Sequence, residues 1–281
     1  MSYSQTISER HKALVIIAID QSGSMAEPFE AHSLITSKSE IAAIVASAII
    51  DELIIRSQAD NYRLDLFDIA ILGYRNDIVE PLIYRNINRP IPLYMLDCSS
   101  VIKEDISYHY KNNEGHLEIF SETYSQWITP QAKGVSNMGE MFRTVTKLIK
   151  QWCANPQHSE SFPPIFINIS DGVIGAKQLS QLLPLKDILD TTGTSDGKTL
   201  TTNVLIVSRR DKFPYLDFPT AEQIEQRHPA TPLAMLSSPL PPMLHKRIRE
   251  GKPQSIYPHL ALCYNGAILE FISALNIKKE W

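Results

Sequence analysis

Val15-Ile16-Ile17-Ala18-Ile19-Asp20-Gln21-Ser22-Gly23-Ser24 decides the fold, because an unbroken apolar run empties into a carboxylate and two hydroxyls at alternating positions. An apolar run of this kind reads as a strand buried on both faces, which belongs in a parallel sheet covered by helices. Whatever follows such a strand lies at the carboxyl edge of the sheet, where open α/β folds bind their ligands. Three oxygens at i, i+2 and i+4, turned by Gly23, can face one point. Hard oxygen donors suit Mg²⁺ or Mn²⁺ and suit zinc poorly.

Two further segments repeat the theme. In Lys133-Gly134-Val135-Ser136-Asn137-Met138-Gly139-Glu140 a hydroxyl precedes a helix pattern, and in Ile165-Phe166-Ile167-Asn168-Ile169-Ser170-Asp171-Gly172 a second apolar strand ends in a carboxylate. Taken singly, each has an ordinary explanation: Ser-Gly-Ser after a strand is usually a turn, and Ser before a helix is usually a cap. Together and in this order they resemble the von Willebrand factor A domain, whose metal-ion-dependent adhesion site opens with Asp-x-Ser-x-Ser. The resemblance spans roughly residues 10 to 275. It departs from the family at Ser136, where a threonine is usual; the hydroxyl is kept and a methyl group is lost.

The resemblance implies an α/β fold with a doubly wound, mostly parallel central sheet, helices on both faces and one antiparallel edge strand, forming a single domain over 10–276 with an elaboration at about 85–130. It implies Mg²⁺ or Mn²⁺ at Asp20, Ser22, Ser24, Ser136 and Asp171, with the hydroxyls as direct or near ligands and the carboxylates holding them. A partner's Glu or Asp would fill the open position. Among subgroups, the chain looks most like soluble bacterial proteins of the tellurite-resistance TerY type, which implies a stress-response or defence role beside an ATPase, kinase, phosphatase or defence effector.

Composition sets outer bounds. With 281 residues, 43% apolar and 21% charged, the chain is long enough for one large α/β core with insertions. A formal charge of −4 provides no broad basic field, which argues against nucleic acid as the main partner. The first ten residues lack a basic-then-apolar leader pattern, and no apolar stretch approaches the ~20 residues a membrane span needs, so a cytoplasmic protein is expected. Cys98, Cys153 and Cys263 are odd in number and widely spaced, which reads as reduced thiols, two of them buried beside apolar helix patterns.

Along the chain, Met25 to Thr36 reads as a loop and Ser37-Lys38-Ser39-Glu40 as a capping box opening an apolar helix from Ile41 to about Ser57. Phe67 to Tyr74 reads as the second strand, and Arg75-Asn76-Asp77 as a tight turn into an edge strand at Ile78 to Tyr84. Met138, Met141, Phe142, Val145, Leu148 and Ile149 line one face of a helix over 137–152. Leu179 to Leu189 reads as amphipathic but broken at Pro184, Thr202 to Ser208 as a strand, and Tyr257 to Asn276 as a closing helix. Arg75, Arg209, Arg210, Lys212, Phe213 and Tyr215 follow strand ends and are expected to form the partner-binding rim of the metal site.

P-loop, nucleophile-elbow and zinc-protease motifs are all missing from the sequence, and no histidine lies near Ser22 or Ser24 along the chain. The leading expectation is therefore a metal-dependent protein-interaction module without turnover. The alternative is a metal-assisted, phosphatase-like hydrolase using the same cation. The serines of the first motif are expected on an exposed loop.

Overall fold

A computed structural model of the chain describes residues 3–31, 34–83, 89–111, 117–208, 217–224, 230–248, 258–275 and 277. In chain order the elements are β1 (Ala13–Asp20), β2 (Pro28–Ala31), β3 (Leu34–Ser37), α1 (Lys38–Arg56), β4 (Phe67–Arg75), β5 (Ile78–Pro81) and β6 (Ile91–Pro92). There follow β7 (Ile102–Lys111), β8 (Leu117–Gln126), α2 (Met138–Cys153), β9 (Ile165–Ser170), α3 (Ala176–Thr191), β10 (Leu200–Leu205), α4 (Thr231–Met235), α5 (Pro242–Ile248), β11 (Leu262–Tyr264) and α6 (Ile268–Ala274).

The central sheet is mixed but mostly parallel, in the order β11-β10-β9-β1-β4-β5, with β6 also on β4. β5 and β6 run antiparallel to β4, and the other pairings are parallel. Every residue of β1 is buried, as its apolar run requires. Its side chains alternate between two cores. Ala13, Val15, Ile17 and Ile19 join Ile41, Val45, Ile49 and Leu53 of α1 and Phe271 and Ile272 of α6. Leu14, Ile16 and Ala18 join Met141, Phe142, Val145 and Ile149 of α2 and Leu182 and Leu189 of α3. Phe142, fully buried and edge-on to Phe166, is an anchor whose truncation to alanine would cost about 3–5 kcal/mol.

The capping box forms as read: Ser37 Oγ accepts from Glu40 N, and the Glu40 carboxylate accepts from Ser37 N. The apolar surface of α1 is explained by cover on two sides. One side meets the sheet, and the other meets β8, just past whose end Trp127 donates Nε1 to Asp51 at 2.8 Å and its backbone N to Ser47 at 3.2 Å. The stretch at 85–130 thus contains a ten-residue ribbon closed against α1, with Ile102 opposite Gln126 and Lys111 opposite Leu117. His109 is a position on β7, and His116 lies outside the described residues.

Four local readings need correction. Met25 to Thr36 is not a plain loop: a 3-10 turn over Gly23–Ala26 leads into the β2–β3 hairpin. The stretch around Pro184 is unbroken helix: Pro184 and Ser180, whose carbonyl loses its helical partner, are both exposed, where solvent can take the place of the lost bond. The strand expected at Thr202 to Ser208 starts two residues earlier and ends three earlier, at Leu200–Leu205. The closing helix begins only at Ile268, because Leu262–Tyr264, buried throughout, pairs with β10 as a short strand. Of the thiols, all free, Cys263 is buried, Cys153 half-buried and Cys98 exposed. Among the described residues no helix is long and apolar enough to cross a membrane.

Candidate metal centre

The chain leaves β1 for β4 on one side and later returns to β9 on the other, so the carboxyl ends of β1 and β9 flank the point where strand order reverses. Asp20 is the last residue of β1, and Asp171 follows the last residue of β9. Gly172 turns the chain away at φ +72°, and a Cβ there would lie 2.5 Å from Leu205 Cδ1, which accounts for the Asp-Gly pair. After Asp20 the 3-10 turn is anchored by Met25, fully buried, whose N donates to Ser22 O at 3.0 Å.

Four of the five expected groups are linked by hydrogen bonds. Ser22 N donates to Asp20 Oδ1 at 2.8 Å, and Ser136 Oγ donates to Asp20 Oδ2, also at 2.8 Å, across 116 residues of chain. The hydroxyls of Ser22 and Ser24 lie 3.2 Å apart. Ser22 is buried rather than exposed, because the 133–136 loop closes over it: Gly23 N donates to Gly134 O at 2.8 Å and Lys133 N to Gln21 O at 2.6 Å. Ser24 remains half-buried.

Both carboxylates are buried, Asp20 to 1% exposure and Asp171 to 9%. Burial pushes the Asp20 carboxyl up, hydrogen bonds from Ser22 and Ser136 pull it down, and the charge of Asp171 pushes it up again. Asp171 Oδ1 accepts from Val173 N at 3.3 Å, while its Oδ2 is buried with no hydrogen-bond partner. No described Lys, Arg or His forms an ion pair with either. Two buried carboxylates close enough to repel, one with an orphaned oxygen, are costly unless a cation neutralises them. The donor set therefore fits a hard divalent ion. Among the described residues no group of three or more His, Cys, Asp or Glu could hold a metal, so any ion here rests on hydroxyls and these two carboxylates.

Behind the carboxylates lies a buried polar chain. Tyr74, opposite Asp20 in register, donates its hydroxyl to Asn168 Oδ1 at 2.9 Å; Asn168 Nδ2 donates to Asn203 Oδ1 at 2.9 Å, and Asn203 Nδ2 to Ser237 Oγ at 3.0 Å. Burial, with Asp20 and Asp171 nearby, keeps the Tyr74 phenol protonated.

The rim is only partly described. Arg209, Arg210, Lys212, Phe213 and Tyr215 lie outside the described residues. Arg75 is half-buried and donates Nη1 to Gln21 Oε1 at 2.6 Å and to Glu80 Oε1 at 2.5 Å, so its guanidinium is held by its own chain. Val135 and Val173, one beside Ser136 and the other two residues past Asp171, are 72% and 66% exposed. Sequence reasoning missed Gln21, a buried side chain between Arg75 and Gly73; its position inside Asp-x-Ser was the available signal.

No family model matches the chain, and no curated protein matches it. Among solved structures, a PilB minor pilin from Streptococcus sanguinis is similar at 8% identity and TM-score 0.36, over 70% of this chain and 50% of the pilin. An uncharacterized membrane spanning protein from Vibrio fischeri is similar at 12% identity and TM-score 0.25, over 69% of this chain and 71% of that one. This chain thus spans half the length of the pilin. Likenesses this slight bear on neither fold nor function.

Proposed function

We propose that the chain is a doubly wound domain of the von Willebrand factor A type and acts as a Mg²⁺- or Mn²⁺-dependent protein-interaction module. The observation carrying this reading is the meeting of Asp20, Ser22, Ser24 and Ser136 beside the orphaned, buried Asp171 Oδ2. Ser22, Ser24 and Ser136 would hold the ion, with Asp20 orienting Ser22 and Ser136 through the hydrogen bonds it accepts. Asp171 would balance charge from the opposite strand. A bound ion supplies a positive, Lewis-acidic point that attracts a carboxylate oxygen of a partner more strongly than a surface ion pair does.

Exposed Val135 and Val173 would then bracket the partner's acidic residue with apolar contacts, and Arg209 to Tyr215 would set partner choice. The resemblance to TerY-type proteins supports a cytoplasmic stress-response or defence component beside an ATPase, kinase, phosphatase or defence effector. Nothing observed favours the hydrolase reading: among the described residues no histidine contacts Ser22, Ser24 or Ser136 to serve as a base. Calorimetric titration of the whole chain with Mn²⁺ tests the reading; modest saturable binding, in keeping with only two carboxylates, is expected. Absence of saturation at millimolar Mn²⁺ would overturn it.

A further inference from the structure

Ser136 sits on a segment with little apolar anchorage. Lys133, Gly134 and Val135 are exposed, and burial resumes only at Met138 in α2. Its place over Asp20 must therefore be set by polar ties, and these come from two sources. Gln21 and Gly23 take the near end, through the bonds to Lys133 N and from Gly23 N described above. The remaining ties come from Asn76 and Asp77, the two-residue turn between β4 and β5. Asn76 N donates to Val135 O at 2.7 Å, and Asn76 Oδ1 accepts from Val135 N at 3.0 Å. On the other side of Ser136, Asn137 Nδ2 donates to Asp77 Oδ1 at 3.0 Å while Asn137 Oδ1 caps α2 by accepting from Glu140 N.

The fit is close on both sides. Asn76 is left-handed, at φ +46°, a conformation asparagine tolerates in two-residue hairpin turns. Gly134 faces it at φ +85°, and a Cβ there would come within 2.5 Å of Asn76 Oδ1. The turn thus grips the residues immediately before and after Ser136 and leaves its hydroxyl to Asp20.

Resting on the metal reading above, we propose that Asn76 and Asp77 are positioning residues for Ser136, setting metal affinity from outside the ligand set. Such supporting groups typically carry about 10- to 100-fold in metal affinity. The test uses the full chain and Mn²⁺ as the probe. Asn76→Gly keeps the left-handed backbone and its N–H but deletes the side-chain acceptor, and Asp77→Ala deletes the acceptor for Asn137; Asn76→Asp and Asp77→Asn keep both acceptors. Asn76→Gly/Asp77→Ala should weaken Mn²⁺ binding about tenfold, speed amide exchange at Val135 and leave the melting temperature nearly unchanged, while Asn76→Asp/Asp77→Asn should bind within about twofold of the parent. If the parent binds Mn²⁺ and Asn76→Gly/Asp77→Ala binds it equally well, the positioning role is overturned and the metal reading stands. If the parent binds no Mn²⁺, the metal reading falls and takes this role with it.

Discussion

Buried carboxylates occur at both ends of the sheet, and they are treated differently. At the amino end, Asp68 accepts from Trp152 Nε1 at 2.7 Å with Lys12 at 3.9 Å, and Asp196 accepts from Ser4 N, Ser4 Oγ and Gln5 N. At the carboxyl end, Asp20 and Asp171 face each other's charge, no described cation pairs with them, and one oxygen is unpartnered. The lesson is that burial of an acid is not itself a functional sign. A buried carboxylate satisfied by its own chain and facing no second buried acid is part of the framework, and a buried pair that repel each other, with Asp171 Oδ2 unpartnered, is placed to take up positive charge from elsewhere.

The contrast breaks most readily at the carboxyl end. With Mn²⁺ at about 100 times its dissociation constant, the parent should gain about 2.7 kcal/mol of stability, and Asp20→Ala/Asp171→Ala should gain none. Thermal unfolding with and without Mn²⁺ reads this, and an equal gain in both chains would abolish the distinction between the two ends. At the amino end, Trp152→Phe strips Asp68 of its indole donor and should cost about 1–3 kcal/mol in denaturant unfolding while leaving Mn²⁺ affinity unchanged. A shift in metal affinity there would mean the ends are coupled. The smallest effect should separate the two serines: Ser22→Ala, buried, should cost about 1 kcal/mol, and Ser24→Ala, half-buried, no more than about 0.5 kcal/mol, although both weaken Mn²⁺ binding. Equal stability costs would remove burial as the discriminator.

What was legible in the sequence follows from how local each signal is. β1 and β9 announced themselves because a continuous apolar run has one economical use in an α/β sheet, and the capping box at Ser37 and Glu40 is satisfied within one turn. The places of Asp20, Ser22 and Asp171 at strand ends followed from those runs. β11 did not show, since Leu262-Cys263-Tyr264 is too short for its apolar character to separate strand from helix. The turn at Asn76 and Asp77 was visible as a turn, but its grip on Val135 spans 59 residues and leaves no local trace. Ser22 was expected to be exposed for the same reason: the loop that covers it arrives from residue 133 onward.

The buried Tyr74-Asn168-Asn203-Ser237 chain has a consequence for how the sheet assembles. Strands apolar on both faces, such as Ile165–Ser170, carry little alternation to say which residue belongs opposite which, and a slip by one position is normally opposed only by that alternation. Asn168 and Asn203 are opposite each other in register, and both are fully buried. Sliding β9 past β10 by one residue would strand their amides in hydrocarbon without partners, a penalty that two valines in their place would not impose. The asparagines thus act as alignment pins that reject a misregistered pairing of β9 with β10, and the Tyr74 hydroxyl on Asn168 ties the strand position opposite Asp20 to the same pins.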